Sequence, residues 1–452
     1  MYSLLLDRRG LGEVEIFISE DIIMKVLVWG TGETGVETAR VMAARGNEVR
    51  LADENEPREG LSFPAKRLEE ADIKWADLVI PSPGVPRGHP LLNKAKKVLS
   101  EIEVAYSLLT GRLIAITGTN GKTTTTTLVH RILKAKGYDA GVGGNISPPL
   151  ISLVDANPEY VVAEISSFQL EWIEKFRPSI GVCMNITPDH LDRYNTMEEY
   201  IYYKLRLFEN MSGDDIALIN NDDPYKAMIK TPRKAGFSLL RGDIEHGAYI
   251  AGGRIVFHGE IEGEGPKVPD AMKVGRGTIE DMLAAAVVTR YLGVEPSVME
   301  DIFLSFKVIH HRFEYAGELD GVIFIDDSKA TNVGAIDVAL ASVDKKAVII
   351  LGGKDKGGDF GELLARYSGK LRKAVLIGEA SERIASEIKG LVDFEDATSM
   401  MDAVAKSFDT AKAGDIVLLS PGCASFDMFK SYAHRGEVFT DCVKMLQTKS
   451  RN

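Results

Sequence analysis

The turn between Gly118 and Lys122 carries the groups that proteins use to hold a nucleoside triphosphate. It follows an apolar run from Ile114 that is typical of a buried strand, and it leads directly into a helical pattern. Backbone N–H groups of such a turn converge on phosphate oxygens, the lysine neutralises the terminal phosphates, and the Thr123 hydroxyl can ligate Mg²⁺. The predicted nucleotide-binding residues are Gly118, Thr119, Asn120, Gly121, Lys122, Thr123 and Thr124.

This phosphate loop is a shortened variant. Only Thr119 and Asn120 separate Gly118 from Gly121, whereas the usual pattern places four residues between its first glycine and Gly-Lys. The alternative is a plain glycine turn followed by a surface lysine. The coincidence of strand, Gly-Lys-Thr and helix favours the nucleotide site over that alternative.

The length and charge of the chain limit its class. With 452 residues it is too long for one ordinary core, and we expect about three domains. The net charge of −12 argues against a general nucleic-acid binder, which needs a cationic face. The three cysteines are scattered without metal-like spacing, and no apolar run approaches the ~20 residues that cross a bilayer. We therefore expect a cytoplasmic protein with no membrane or nucleic-acid partner.

Strands and helices alternate along the chain, and 43 glycines fit the many strand-to-helix turns of such folds. The pattern predicts the α/β class with three domains. The first is Rossmann-like, the second is a P-loop ATPase-like domain that binds a mononucleotide, and the third is Rossmann-like with a parallel sheet. We place them at residues 1–100, 101–307 and 308–452.

The first block has the spacing of a dinucleotide-binding βαβ unit. A strand ends at Gly30-Thr-Gly32-Glu-Thr-Gly35, a helix follows, and the next strand ends in the acidic residue Asp53. Taken alone, this pattern fits an NAD enzyme about as well as a glycine turn that accepts another nucleotide. A further strand closes in the rigid turn Ser82-Pro-Gly84.

Polar residues follow the later strands as well. Glu164 ends an apolar strand and is well placed for a metal ion, and His190 follows another strand, where it could bind a ligand or cap the next helix. Lys204 lies in an amphipathic helical pattern that by itself indicates a solvated lysine. In the third block, Arg312 and Lys329 offer positive charge for phosphates or carboxylates.

Seven motifs spread over nearly the whole chain resemble those of one family. They lie at residues 118–124, 143–146, 164–170, 185–193, 204–206, 311–314 and 327–332. In these motifs the sequence resembles the Mur ligases, which assemble the peptides of the cell wall. Residues 326–332, 420–427 and 435–439 most resemble those of the D-glutamate-adding members.

The resemblance implies a chemistry. ATP phosphorylates a carboxylate of a UDP-linked sugar-peptide, and the amine of D-glutamate attacks the acyl phosphate to give an amide, ADP and phosphate. The catalytic residues implied are Lys122, His190, Lys204, Arg312 and Lys329. The Mg²⁺ ligands implied are Thr123, Glu164, His190 and Lys204, the last as a carbamate.

The resemblance also assigns binding residues. Arg312 and Lys329 reach the ATP phosphates once the third domain closes, and Asp327 approaches the ribose. Thr278 and Asp281 stand at two adenine-reading positions where the family typically has asparagines. For the UDP-linked substrate the set is Gly32, Thr34, Asp53, Ser82, Gly84, Asn145 and His190. For D-glutamate it is Thr331, Lys356, Ser425 and Tyr432, and a monomer is expected.

Three alternatives stay open at this point. A related Mur-type ligase could use another nucleotide-linked acceptor or amino acid, as in archaeal pseudomurein assembly. An NAD-dependent oxidoreductase would explain Gly30 to Gly35 and Asp53, but not the phosphate loop with Glu164 and His190. A non-catalytic nucleotide-binding regulator would keep the phosphate loop without needing Lys204, Arg312 and Lys329.

Overall fold

The computed structural model of this protein describes residues 23–190, 193–240, 242–270, 274–307, 310–355 and 357–450. Lys356, which is predicted to bind the amino acid, lies outside the described residues, as do residues 1–22 of the predicted first domain. Among the residues that the structure describes, no helix has the length and apolar composition needed to span a bilayer.

Three separate sheets, each dominated by parallel strands, form the framework, and the predicted α/β class is confirmed. The strands are β1 (Lys25–Trp29), β2 (Glu48–Asp53), β3 (Ala65–Arg67), β4 (Leu78–Pro81), β5 (Arg112–Thr117), β6 (Ala140–Gly144), β7 (Tyr160–Glu164), β8 (Ile180–Cys183), β9 (Ile216–Asn220), β10 (Lys234–Ser238), β11 (Gly247–Ala251), β12 (Arg254–His258), β13 (Gly263–Lys267), β14 (Glu314–Leu319), β15 (Val322–Asp326), β16 (Ala347–Leu351), β17 (Leu371–Ile377), β18 (Phe394–Ala397) and β19 (Ile416–Leu419). The predicted domain boundaries after residues 100 and 307 stay predictions.

Helices cover the sheets and connect their strands. The α-helices are α1 (Glu33–Ala44), α2 (Glu70–Trp75), α3 (Glu101–Leu108), α4 (Lys122–Lys136), α5 (Met197–Leu205), α6 (Arg276–Tyr291), α7 (Pro296–Ser305), α8 (Val333–Ala341), α9 (Phe360–Tyr367), α10 (Ser381–Ile388), α11 (Met400–Thr410) and α12 (Tyr432–Ser450). Their buried apolar faces pack on the strands in several clusters of fully buried side chains.

The first sheet has the order β3-β2-β1-β4, with every pair parallel. The glycine turn after β1 therefore meets the end of β4. A Cβ on Gly30 would lie 2.0 Å from the Ser82 hydroxyl, so only glycine allows this approach. Asp53, at the end of β2, accepts hydrogen bonds from the Thr31 N–H and hydroxyl at 3.0 and 3.1 Å.

The second sheet has the order β13-β12-β11-β10-β9-β8-β5-β7-β6 and is parallel from β6 through β11. Strand β5 lies between β7 and β8, so the ends of these three strands meet at one edge. They carry the phosphate loop, Glu164 and Asn185. This is the edge at which ligands bind in parallel α/β sheets.

The third sheet has the order β14-β15-β19-β16-β17-β18, and all of its pairs except β14 with β15 are parallel. Asp327 follows β15 and Ser420 follows the neighbouring strand β19. Hydrogen bonds join this sheet region to the second. Asn120 donates to Asn332 at 3.3 Å, and Arg312 donates to the Thr124 hydroxyl at 2.8 Å.

Glu101 is a buried acid at the start of α3 that makes stability depend on pH. One of its oxygens accepts the Ile151 N–H at 2.6 Å, and the other has no hydrogen-bond partner. Burial raises the pKa of this carboxyl from its usual 4.5 to about 7. The folded state thus binds a proton more tightly than the unfolded state, and stability falls as pH rises from about 4.5 to 7.

We expect Glu101→Gln to remove this slope. At pH 8 the variant should be more stable than the wild type by about 2–3 kcal/mol, and at pH 4.5 the two should be nearly equal. Urea unfolding at both pH values measures the difference. An equal difference at both pH values would show that folding does not raise the pKa of Glu101.

Candidate active site

A cavity of about 270 Å³ lies between the functional edges of the second and third sheets. It brings together most of the residues that are predicted to bind the nucleotide, the metal ion or the amino acid. Those that line it are Thr119, Asn120, Gly121, Lys122, Thr123, Asn145, Glu164, Thr278, Asp281, Arg312, Asp327, Lys329, Thr331 and Tyr432. The remaining predicted residues with described positions are not among its lining.

The phosphate loop has the backbone geometry that the sequence predicts. Gly121 has a φ of 89° and caps α4, and a Cβ there would lie 2.4 Å from an Asp281 carboxylate oxygen. The ammonium of Lys122 donates to the carbonyl oxygens of Gly118 and Thr119 at 2.8 and 2.9 Å. Burial lowers the pKa of Lys122, and the charge of Lys204 lowers it further. The loop therefore fixes the position of its lysine through its own carbonyl groups.

Two predicted metal ligands are neighbours beside this loop. The Thr123 hydroxyl donates to one carboxylate oxygen of Glu164 at 2.8 Å, and the Asn145 amide donates to the other at 2.9 Å. A hydroxyl and a carboxylate are the hard oxygen ligands that Mg²⁺ prefers. The residues present therefore fit a magnesium ion next to the phosphates.

Lys204 is buried, with 2% of its surface exposed, so the interpretation of a solvated lysine is wrong. Its ammonium donates to the Gly118 carbonyl at 3.0 Å and lies 4.6 Å from the centre of the Tyr200 ring. Burial lowers the pKa of Lys204 to about 8. A large fraction of the amine is thus neutral near that pH, which is the form that can react with CO₂.

His190 stands in a left-handed turn with a φ of 56°, at the end of the segment that follows β8. Its ring packs against Phe168, with the ring centres 4.8 Å apart. Helix α5 is instead capped by Thr196, whose hydroxyl accepts the Glu199 N–H. The interpretation of His190 as a helix cap is therefore wrong.

Arg312 bridges the second and third sheet regions. Its guanidinium donates to the Thr124 hydroxyl and to the Asp281 carboxylate, each at 2.8 Å. Burial raises the pKa of Asp281 to about 6, and the Arg312 charge acts in the opposite direction. Asp281 therefore remains mostly ionised at neutral pH and pairs with the arginine.

Lys329 and Asp327 bring charge from the third sheet. Burial lowers the pKa of Lys329, and the neighbouring Arg312 charge adds to that effect. Asp327 accepts hydrogen bonds from the Ser420 hydroxyl at 2.9 Å and the Phe313 N–H at 3.1 Å. Burial raises the pKa of Asp327 to about 7.

Five of the seven residues predicted to hold the UDP-linked substrate lie in the first sheet region, away from the cavity lining. Of the other two, Asn145 lines the cavity, and His190 follows β8 and is not among that lining. Gly32 caps α1, which contains Thr34. Asp53 and Ser82 approach the glycine turn as described above, and the Gly84 carbonyl accepts a hydrogen bond from Arg193 at 3.3 Å. The substrate set thus divides between this region, Asn145 in the cavity wall and His190.

Only some of the residues predicted to bind the amino acid line the cavity. Thr331 and Tyr432 line the cavity, whereas Ser425 is 2% exposed and is not among its lining. Beneath them lies Arg435, which is 1% exposed. Its guanidinium donates to Ser328 and to the Cys423 and Ala424 carbonyls. Arg435 therefore ties the loop after β15 to the loop after β19.

Several cavity residues were not assigned from sequence. Asn185 accepts the Asn120 N–H at 2.8 Å, and Asp189 accepts a hydrogen bond from Asn332 at 3.3 Å. Asn185 and Asp189 belong to the same motif as His190. Their position directly after a strand could therefore have identified them as candidate site residues. The cavity lining also includes Val274, Glu280, Phe313, Val338, Ala339 and Ser342.

Comparison with known proteins places this site in a family. The family model of the Mur ligase middle domain matches residues 116–286, and that of the Mur ligase glutamate ligase domain matches residues 311–423. The UDP-N-acetylmuramoylalanine--D-glutamate ligase of Geotalea daltonii is 43% identical over 445 residues, covering 93% of this chain and 97% of that relative. The chain belongs to the Mur ligase family.

A second relative supports the same family. The ligase of the same name from Geobacter metallireducens is 42% identical and covers 94% of this chain and 98% of its own length. The prediction of a ligase that uses ATP to form an amide bond is thereby confirmed. These relatives give no support to an oxidoreductase or a non-catalytic regulator.

Solved structures share the fold of this Mur ligase. A pseudomurein peptide ligase type C from Methanothermus fervidus has a TM-score of 0.62 at 16% identity, covering 94% of this chain and 100% of its own. The MurF ligase from Thermotoga maritima, solved in complex with ADP, has a TM-score of 0.61 at 18% identity, with coverages of 96% and 98%. At these low sequence identities, the similarity shows that the folds are alike and says nothing about substrates.

Proposed function

We propose that this Mur ligase joins D-glutamate to UDP-N-acetylmuramoyl-L-alanine while it cleaves ATP to ADP and phosphate. One observation carries the proposal. A single cavity collects the phosphate loop, the Asn145–Glu164 pair and the cations Arg312 and Lys329. The names of relatives at 40–43% identity support the same reaction. We place it in the cytoplasmic synthesis of peptidoglycan precursors, performed by a monomer.

The reaction has two steps. A carboxylate oxygen of the acceptor attacks the γ-phosphorus of ATP, the bond to the β-phosphate oxygen breaks, and an acyl phosphate and ADP result. The amine of D-glutamate then attacks the acyl carbon, phosphate leaves with the electron pair, and the nitrogen loses a proton. Lys122, Arg312 and Lys329 stabilise the negative charge that both steps concentrate on the transferred phosphoryl group.

Thr123 and Glu164 would hold one Mg²⁺ beside the phosphate loop, since their oxygens are adjacent and face the cavity. When bound, Mg²⁺ neutralises phosphate charge. We assign His190 and carbamylated Lys204 to the same metal-binding set. The carbamate forms when the neutral Lys204 amine attacks CO₂ and loses one proton, which converts a buried cation into an anion.

A hydrogen bond links the first sheet region to the segment that carries Asn145. Glu33, next to Gly32, accepts a hydrogen bond from the Ser147 hydroxyl at 2.7 Å. Ser147 is two residues from Asn145, whose amide lies against Glu164. A nucleotide held at the glycine turn can therefore extend its peptide toward the phosphate loop, and Asn145 can orient the reacting carboxylate.

The incoming amino acid approaches from the third sheet. Thr331 and Tyr432 line the cavity beside Lys329, and a lysine and hydroxyls suit the carboxylates of glutamate. We assign Ser425 and Lys356 to the same subsite. In this proposal the amine donor approaches from the side opposite the acceptor.

A substrate panel tests the proposal by measuring phosphate release from ATP while acceptor and amino acid are varied separately. We expect release only with both UDP-N-acetylmuramoyl-L-alanine and D-glutamate, and mass spectrometry should detect the amide product. L-glutamate with the same acceptor is the matched control. Turnover with another nucleotide-linked acceptor or another amino acid, and none with this pair, would overturn the assignment of substrates.

A further inference from the structure

One side chain of the second sheet region holds the turn that follows β4. Residues 82–85, here called the acceptor turn, include Ser82 and Gly84, which are assigned to the UDP-linked substrate. The Arg193 guanidinium donates to the Gly84 carbonyl at 3.3 Å and to the Val85 carbonyl at 3.0 Å. Both hydrogen bonds cross between sheet regions, so a cation of the second region fixes the backbone of a substrate-binding turn in the first.

A buried carboxylate orients the same guanidinium. The Glu171 side chain is 1% exposed, and its two oxygens accept from Arg193 at 3.0 and 2.8 Å. The Tyr194 hydroxyl donates a further hydrogen bond to this carboxylate at 3.0 Å. A bidentate pair with a buried partner holds a guanidinium in one orientation. The N–H groups of Arg193 are therefore directed at the acceptor turn before any substrate binds.

Arg193 also contacts the turn that carries His190. Its backbone N–H donates to the His190 carbonyl at 3.0 Å. Its guanidinium lies 4.3 Å from the centre of the Phe168 ring, and the His190 ring packs against the same Phe168. Arg193 thus binds the acceptor turn through its side chain and the His190 turn through its backbone.

Arg87, which follows the acceptor turn, crosses the same boundary in the opposite direction. Its guanidinium donates to the Glu171 carbonyl at 3.0 Å and lies 4.7 Å from the centre of the Trp172 ring. Glu171 therefore binds Arg193 through its carboxylate and Arg87 through its backbone. The two arginines hold the segment from Gly84 to Arg87 against one short stretch of the second sheet region.

We propose that Arg193 is a positioning residue that orders the acceptor turn and fixes it relative to the His190 turn. It acts through the Gly84 and Val85 carbonyls, and it is not among the residues that line the ATP cavity. Because a turn that is ordered in advance costs less entropy on binding, acceptor affinity depends on Arg193 and ATP affinity does not. The inference rests on the proposed function only in placing the UDP-linked acceptor at this turn.

Arg193→Lys tests the proposal, because lysine keeps the charge beside Glu171 but lacks the planar fork that binds a carboxylate and two carbonyls together. The Val85 N–H donates to the Ser82 carbonyl at 2.9 Å, so its hydrogen exchange reports on the turn. By mass spectrometry of the free enzyme, exchange in residues 82–87 should be about tenfold faster in the variant and unchanged in residues 118–123. Calorimetry should show an about tenfold higher Kd for UDP-N-acetylmuramoyl-L-alanine and an unchanged Kd for ATP with Mg²⁺.

Asp155→Ala is the matched control. Asp155 pairs with Arg40 and Arg45 at 3.2 Å and so joins the same two sheet regions away from the acceptor turn. This variant should keep wild-type exchange and binding.

A double variant, Arg193→Ala with Glu171→Gln, removes the buried pair without leaving an unpaired charge and should reproduce the losses of Arg193→Lys. The proposal is overturned if both Arg193 variants keep the wild-type exchange of residues 82–87, or if Asp155→Ala speeds that exchange as much. A wild type that does not bind the UDP-linked acceptor would refute the proposed substrate, whereas the exchange measurement would still decide the role of Arg193.

Discussion

Replacing Lys122 with alanine is expected to lower kcat/KM for ATP by about a thousandfold. The ammonium already lies 2.8 and 2.9 Å from two carbonyl oxygens of the phosphate loop, so it is fixed before ATP binds. A charge that needs no reorganisation in a partly buried site typically contributes a factor of this size to a transition state. Steady-state phosphate release at varied ATP concentration measures the loss.

Lys136→Ala provides the matched control for this prediction. Lys136 is the last residue of the same helix, and it is paired with Glu295 at the surface. We expect this variant to keep wild-type kinetics. A Lys122→Ala enzyme that retained more than a tenth of the wild-type kcat/KM would contradict the role assigned to the loop lysine.

The second large effect is expected at Lys204. Lys204→Ala should lose at least about a hundredfold in kcat, because the variant lacks the carbamate that we assign to the metal-binding set. In the wild type, ¹³C-labelled bicarbonate should give a carbamate signal by NMR. The signal should be absent from Lys204→Ala and present in Lys122→Ala, although both variants have low activity.

This pattern separates two explanations for a loss of activity. If Lys204 acted as a buried cation beside Gly118, the wild type would give no carbamate signal and removal of CO₂ would leave its rate unchanged. Lys226→Ala, on a different helical turn, controls for carbamates at other lysines. A signal that survived Lys204→Ala would assign the carbamate to another residue.

The phosphate loop and its neighbours could be predicted from sequence because their signals are local. Gly118 to Thr123 form one strand-turn-helix unit, and Glu164 ends the strand that pairs with it. The parallel pairing then brings Thr123 and Glu164 together without any further information. Arg312 and Lys329 were predicted as cations for phosphates or carboxylates, and family resemblance assigned them to ATP. Their approach depends on contact between two sheet regions.

Other features depend on packing that no local pattern encodes. Lys204 lies on an amphipathic helix, and sequence alone did not show that this position faces the phosphate loop instead of solvent. Asp281 was predicted as a base reader, but the structure engages its carboxylate with Arg312.

The pairing of Arg312 with Asp281 offsets part of the positive charge that lines the cavity. Lys122, Arg312 and Lys329 all line this cavity and would repel one another there. Glu164 and Asp281 offset part of that repulsion while no phosphate is present. If Arg312 reaches the ATP phosphates as we propose, it must leave Asp281, so its contribution to nucleotide affinity is the difference between two ion pairs.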